Sequence, residues 1–535
     1  MAEAMIRPGR WLRTIRHMQG RQVFWRLRHG LRRVLDRRFG VRLKKQDRPD
    51  PSLIAPAPPW CAEDFPRRNH FFLLNREKDF AAAIDWKFAD FGPLWHYRLN
   101  AFDWLCGENT EAARALDFME NFLEKLRKNP RAMEPWPLSR RIINWIRVLE
   151  QAGIDPARRR HLAMAVFAQA RRLARYPEYH LPGNHLIENG LALLWAGAWL
   201  GHTDFSALGE RILKKELALQ VLDDGGHVER SSMYHCQILA GLLDALDLAR
   251  RNPDRVISAA LREQIAVCAA SMLGWVEAMI FSDNQIPCVN DSAAGAFPQP
   301  EWLRRRADAL GVAATPVNLG TSGYFRLQAT GISALVDAGP LGPDANPGHG
   351  HCDTLSVQVF AAGKPLLVDP GTSSYHDPEI RLGERGTAAH NTVMADGLEQ
   401  SEIWGAFRVG RRAQVHDLEQ NPSGLSAAHD GYRTIGLHHQ RRVEISPRRL
   451  VIRDRVDGRP GRPCAAFFHF HPAIEPRVEN AGAEWPGGRM TWVNGRGYRR
   501  NGWVSAGFNR RIPAAVVRVD FLSGLELVTR LEVSP

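Results

Sequence analysis

The sequence predicts a multidomain α and β protein: a helical domain made of sequential antiparallel helix pairs, followed by an antiparallel β-sandwich. Three observations predict it. From about residue 60 to 315 apolar residues recur at intervals of three and four, and beyond 315 the chain breaks into short β-branched or aromatic runs divided by Gly, Pro and Asp. The third is length, because 535 residues exceed what one ordinary hydrophobic core holds. Many helix pairs in one domain suggest an α/α toroid or solenoid. Dense strands without intervening helices indicate a sandwich. The expected parts are residues 1–59, a basic arm with a Pro-rich connector; 60–315, the toroid domain; and 316–535, the sandwich domain.

The arm carries almost all of the net charge. Lys and Arg exceed Asp and Glu by 71 − 58 = 13, and residues 1–48 alone hold 15 basic against 3 acidic side chains, leaving 56 against 55 in the rest. The basic character therefore describes one segment and not the domains. Trp11, Phe24, Trp25 and Leu27 lie among its arginines, so it reads either as an arm packed on its own domain or as an amphipathic helix lying on an anionic membrane surface, in which case residues 1–48 would serve attachment and take no part in catalysis. Nucleic acid is the weaker match. No apolar stretch follows the basic residues as in a secretory signal, and no run of about eighteen apolar residues exists to span a membrane. That favours a cytoplasmic or peripheral-membrane location, or a periplasmic one if export is not visible in this sequence. Seven cysteines without CxxC spacing argue against a disulfide framework. Residues 47–59 (DRPDPSLIAPAPP) mark a boundary.

In the helical half, helices are expected at 111–127, 140–151, 159–175, 186–200, 206–222, 237–250 and 261–280. The 186–200 segment is apolar nearly all round and should be buried. Two polar stretches interrupt this pattern. Leu181–Gly190 places Asn184 and His185 at a helix mouth with Glu188 one turn on, which suits a bound anion or, equally, a simple N-cap. Gly225–His235 is a turn leading into the next long helix, with Tyr234 and His235 at its mouth. Asp291, in a polar turn closing the last helix pair, is placed to line the same cleft.

In the β half, His349, His351, Asp369 and His390 fall within about forty residues beside strand-like segments such as Thr354–Phe360. Imidazole with carboxylate is a normal zinc donor set, and a hydrogen-bonded cluster is the alternative. A turn at Gly350 could send one of the first two histidines into a cleft and the other to a metal.

Taken together, Asn184-His185-Leu-Ile-Glu188, Ser232-Met-Tyr234-His235, His349-Gly-His351, Val368-Asp369-Pro-Gly-Thr372 and His390-Asn-Thr-Val393 resemble the heparinase II/III family of bacterial polysaccharide lyases, over roughly residues 70–535. The resemblance implies an N-terminal incomplete α/α toroid, a C-terminal antiparallel β-sandwich and a cleft between them. By position it implies that Asn184 and His185 meet a uronate carboxylate, that Tyr234 and His349 are the two acid/base groups, the uronate epimer deciding which abstracts and which donates, and that His351, Asp369 and His390 hold one structural zinc, as in some members of the family. Glu188, His235 and Asp291 are expected to contact substrate.

The chemistry requires such residues. β-Elimination removes the C5 proton of a uronate, which is weakly acidic while its carboxylate is charged, so donors must offset that charge and stabilise the enolate-like transition state. A base must reach C5 and an acid must protonate the departing C4 oxygen. The expected substrate is an acidic polysaccharide: heparan-like, alginate-like or a bacterial exopolysaccharide. Two other functions compete. A glycoside hydrolase would pair two carboxylates, for example Glu188 with Asp291, and a non-catalytic accessory protein of a capsule or exopolysaccharide system would bind and not cleave.

Overall fold

A computed structural model describes residues 8–39, 58–107, 110–151, 153–253 and 257–534. Most of the Pro-rich connector lies outside them. Two arm helices, α1 (Pro8–Ile15) and α2 (Gly20–Phe39), precede a small hairpin of strands His70–Leu73 and Arg76–Asp79. The toroid domain follows as α3 (Pro93–Ala101), α4 (Ala112–Lys125), α5 (Pro135–Leu149), α6 (Pro156–Arg175), α7 (Asn184–Leu200), α8 (Thr203–Gln220), α9 (Ser232–Arg251), α10 (Ala259–Met279) and α11 (Pro300–Asp308). The seven expected helices are all present, with ends shifted by up to five residues.

Local chemistry sets these ends. Asp155 and Ser231 cap α6 and α9 by accepting backbone N–H bonds, and Ser258 does the same for α10. α7 stops at Gly201, which takes φ 64° at the C-terminal cap, where a side chain would be strained. Every residue of α7 from Leu186 to Gly197 is buried, as the all-round apolar sequence requires. Truncating a core residue such as Leu193 to Ala would cost about 2–5 kcal/mol.

The change from helix to strand lies between α11, which ends at Asp308, and the first sandwich strand, Tyr324–Ala329. All strand pairs are antiparallel, in one eight-stranded and two four-stranded sheets. The first sandwich strand is followed by the strand Ile332–Asp337, paired antiparallel with it. One difference bears on the site. The strand expected at 354–360 begins only at Val357, because Leu355 adopts φ 61° and the chain turns there, so His349 and His351 stand on a loop. A short helix, α12 (Pro378–Arg385), interrupts the β domain and had no clear apolar stripe to announce it.

The two domains share a seam. Phe281 stacks on Phe360 at 4.1 Å, the Tyr324 hydroxyl donates to Arg230 O at 2.7 Å, and Asp224 accepts from the Ser322 N–H at 2.7 Å. The arm crosses this seam. Trp11 packs edge-on against Trp404 of the β domain, while Trp25 lies 4.4 Å from the Tyr179 ring of the toroid. The Gln22 amide, 2% exposed, donates to Ala345 O at 3.1 Å and reaches His180 O at 3.5 Å. The arm is therefore packed on its own domains, and two of the aromatics expected to face a membrane face the body. The seven cysteines are free thiols, and among the described residues no helix is long and apolar enough to cross a membrane.

Candidate active site

Between the domains lies a cavity of about 400 Å³ lined by Asn184, His185, Tyr234 and His349 together with Tyr97, Trp136, Glu178, Tyr375 and Phe407. Seven separate stretches of sequence thus converge on it. Asn184 opens α7. The cap is Gly183, not Asn184, whose side chain makes no capping bond. The Asn184 backbone N–H donates to Glu229 Oε1 at 3.1 Å, and a Cβ on Gly183 would lie 2.1 Å from that oxygen, so only glycine lets the Glu229 carboxylate approach the helix mouth. His185 Nδ1 lies 3.3 Å from Glu178 Oε2. Burial works against charge on this imidazole, but the Glu178 carboxylate outweighs it and raises the group to about 9. His185 is therefore a cation at neutral pH.

Tyr234 sits in the first turn of α9, its N–H accepted by Ser231 Oγ at 3.3 Å. Its ring lies 4.2 Å from the His349 ring and its hydroxyl 3.0 Å from that of Tyr375. Burial and the nearby Asp291 charge push its phenol above the ordinary range, so it rests protonated. His349 Nδ1 lies 2.7 Å from Asp291 Oδ2. An ionised carboxylate can only accept, so the proton is on Nδ1 and Nε2 is left as the basic nitrogen.

Asp291 is the centre of this arrangement. Burial alone would raise its pKa, yet the Arg381 guanidinium and two imidazoles hold it well below the carboxylate range. Arg381 Nη2 donates to Oδ2 at 2.6 Å, Nη1 bonds Oδ1, and His351 Nε2 donates to Oδ1 at 2.9 Å. Tyr375 and Phe407 lie over the guanidinium at 4.7 and 5.1 Å. The loop holding Asp291 is zipped to the histidine loop, since the Asp291 N–H donates to His349 O at 3.2 Å and the His351 N–H to Asn290 Oδ1 at 2.9 Å.

Three expected substrate contacts are corrected. Asp291 is fully buried beneath His349 and orients it instead of meeting substrate. His235 is buried against Trp275, its Nδ1 accepting from the His227 N–H at 3.2 Å and its Nε2 donating to Met272 O at 3.0 Å; burial lowers it to about 4, so it is a neutral packing residue. Glu188 lies on the same stripe of α7 as Asn184 but one turn, about 6 Å, farther from the helix mouth, where it lines a separate small pocket with Arg140 and Asp244. The Glu188–Asp291 hydrolase pair accordingly does not form.

Of the expected metal residues, His351 and His390 are fully buried with ring centroids 5.3 Å apart. His390 Nδ1 lies 2.8 Å from Asp369 Oδ2. Among the described residues no three His, Cys, Asp or Glu groups gather around one point. His351 Nδ1 and His390 Nε2 are nonetheless buried without a hydrogen-bond partner.

Sequence reasoning missed Tyr375, Arg381, Glu229, Glu178 and Trp136. Tyr375 and Arg381 follow closely on Asp369-Pro-Gly-Thr372, and Glu229 lies within the polar turn before Tyr234, so proximity to those motifs was the available signal.

The family description "Heparinase II/III N-terminus" matches residues 138–301 and "Heparinase II/III-like, C-terminal" matches residues 313–525. A heparin-sulfate lyase of Bacteroides thetaiotaomicron is 26% identical over 268 residues, 42% of this chain; the match spans only 38% of that lyase. FtsZ-localized protein C of Caulobacter vibrioides is 25% identical over 432 residues, 72% of this chain and 70% of that protein. The crystal structure of heparinase III superposes with a TM-score of 0.67 at 16% identity, covering 85% of this chain and 80% of that one, and heparan sulfate lyase HepC from Pedobacter heparinus with 0.56 at 16%, covering 87% and 81%. These superpositions establish the toroid-plus-sandwich fold, and the two family matches between them take in the helices and loops that carry Asn184, Tyr234 and His349. The chain belongs to the heparinase II/III family.

Proposed function

We propose that this chain is a polysaccharide lyase that cleaves a uronic-acid-containing polysaccharide by β-elimination. The observation that carries the reading is the pair Tyr234 and His349, ring centroids 4.2 Å apart at the wall of a cavity that also receives Asn184 and His185. The names of the heparin-sulfate lyase relatives support it. The Caulobacter vibrioides relative is named for a place and no reaction. An acid, a base and a buried carboxylate orienting the base favour chemistry here over binding alone.

The residues divide the work. The His185 cation and the Asn184 amide meet the uronate carboxylate, offsetting the charge that makes C5–H so weakly acidic; each donor is worth about 2.7–4 kcal/mol to the transition state in comparable sites. His349 Nε2, its other nitrogen held by Asp291, takes the C5 proton. The C5–H electron pair forms the C4–C5 double bond, the C4–O bond breaks, and Tyr234, resting as the neutral phenol, protonates the departing oxygen.

The lining also speaks to substrate. Among the described residues its cations are Arg98 and His185, and both are engaged, Arg98 with Asp103 at 3.0 Å and His185 with Glu178. Glu134 and Glu178 add negative charge, and Trp136, Tyr97 and Phe407 supply apolar faces for sugar rings. This suits a sparsely sulfated uronate chain better than a densely sulfated one. A structural zinc is the second part of the proposal. His351 Nδ1 and His390 Nε2 are the buried nitrogens it would take, with Asp369 beside His390, and its chemistry would be to tie the loop bearing His349 to the segment bearing His390 within the β domain.

The test is a panel of uronic-acid polysaccharides of graded sulfation, followed by ultraviolet absorbance of the unsaturated product. Absorbance that grows with the unsulfated members is expected. Cleavage with no absorbance would mean hydrolysis, and binding with no cleavage would mean an accessory role.

A further inference from the structure

Among the described residues nothing covers the outward face of α2. Gln22, Trp25 and His29 face inward, with the Trp25 ring on Tyr179 and the His29 ring 5.6 Å from Tyr176. On the opposite side Val23, Phe24, Leu27, Leu31 and Val34 recur at intervals of three and four and are between 43% and 70% exposed. A Cβ added at Gly30, in the same stripe, would meet no atom within 4 Å. Arg26, Arg28 and Arg33 are exposed on either flank of the stripe. The helix is thus amphipathic in an inverted sense, with its apolar stripe toward solvent and its polar-aromatic face toward the body. Leu12, 69% exposed on α1, adds to the apolar surface of the arm.

We propose that this stripe docks the protein onto an anionic lipid bilayer, with α2 lying in the plane of the headgroups. An apolar stripe bordered by arginines is the arrangement in which aliphatic side chains enter the acyl boundary while guanidinium groups meet lipid phosphates. Charge chooses among occupants. Residues 1–48 carry 12 of the 13 net positive charges, so a negative surface is complementary. A second copy stacked stripe to stripe would bring the two arginine borders together, and that repulsion disfavours self-association. The anchoring residues differ from those the sequence suggested: Trp11 and Trp25 hold the arm to the body, and Phe24, Leu27 and Leu31 are the groups left to insert.

The test uses the full chain and sedimentation with vesicles. Wild-type protein should pellet with phosphatidylglycerol–phosphatidylcholine vesicles, stay in solution with phosphatidylcholine alone, and be released by salt, because exposed charge is screened within about 10 Å at 0.1 M. The double variant Leu27→Glu, Leu31→Glu should lower vesicle affinity about tenfold or more while leaving the melting temperature and the cleavage of soluble oligosaccharide unchanged, since neither residue faces the body. A milder variant, Arg26→Gln with Arg28→Gln, should weaken binding and flatten its salt dependence. Wild-type protein that ignores anionic vesicles, or a Leu27→Glu, Leu31→Glu variant that pellets as well as wild type, would overturn the proposal. So would a wild-type dimer in sedimentation velocity that the double variant dissolves, which would assign the face to a second copy.

Discussion

Replacing Asp291 by Asn distinguishes a carboxylate that orients His349 from one that contacts substrate. The substitution keeps the shape and removes the charge. In the wild type the two oxygens accept from His349 Nδ1 at 2.7 Å, His351 Nε2 at 2.9 Å and both terminal nitrogens of Arg381. An amide has one accepting oxygen and one NH₂, and the oxygen goes to the Oδ1 position, where Arg381 Nη1, His351 Nε2 and Thr372 Oγ1 all donate. The NH₂ then faces His349 and donates to Nδ1, so the ring proton moves to Nε2 and the base is lost. The size expected is about 10⁴-fold in kcat, the scale seen when the aspartate behind a catalytic histidine is amidated elsewhere. Stability falls too, by about 3–5 kcal/mol, because the fully buried Arg381 loses its counter-charge. The assay is the initial rate of ultraviolet absorbance on saturating substrate, with urea unfolding of the same preparation to show how much is folded. Folded Asp291→Asn protein with kcat within about tenfold of wild type would refute the orienting role. A raised KM with unchanged kcat would instead restore Asp291 as a substrate contact.

Four further outcomes follow from the geometry. Tyr234→Phe should lower kcat by about 10²–10⁴-fold while costing only about 1 kcal/mol, the hydroxyl's bond to Tyr375, as read by the same absorbance assay and by melting. His185 is raised to about 9 by Glu178, so its charge and the stability linked to it are fully present below about 6.5 and are lost as pH rises through about 9; KM should climb over that range in wild type and stay flat in His185→Gln. Purified protein should carry about one zinc by elemental analysis, and His351→Ala should lose both the metal and thermal stability; metal-free wild type would leave a hydrogen-bonded cluster instead. Asp454, buried beside Arg441 and His439, is held at about 2, so it contributes about 2 kcal/mol above pH 3.8 that disappears as pH falls through 2, and Asp454→Asn should flatten acid unfolding measured by circular dichroism.

The helical half was legible because burial imposes a period. α7 is covered on every side and its sequence is apolar on every side. α12 was missed since Arg381, Glu384 and Arg385 are buried through ion pairs and backbone bonds, which leave no hydrophobic trace in sequence. Tyr234 and His349 were found because the polar turn and the His-Gly-His run stand out from their surroundings. Glu188 was misplaced for the converse reason: one turn from Asn184 keeps the same face of the helix but carries the side chain about 6 Å away from the mouth, into a different pocket. Asp291 could be expected near the cleft, but whether a carboxylate meets substrate or holds a histidine depends on which residues cover it, and Arg381 comes from ninety residues away. The arm shows the same limit. Its amphipathic sequence was visible, and which side turned outward was fixed by Tyr176 and Tyr179, which no local pattern names.

Gln22 gives the arm a mechanical standing that its distance from the chemistry conceals. One amide group touches the carbonyls of His180 and Ala345, the first four residues before Asn184 and the second four before His349. The loops that deliver the carboxylate-binding pair and the base are thus riveted by a side chain belonging to neither domain. A shift of α2 by even one residue along its axis, about 1.5 Å, would break both bonds together. Whatever pulls on the arm therefore loads both sides of the cleft, and whatever stiffens the cleft tightens the arm's seat by the same free energy, since such coupling is reciprocal.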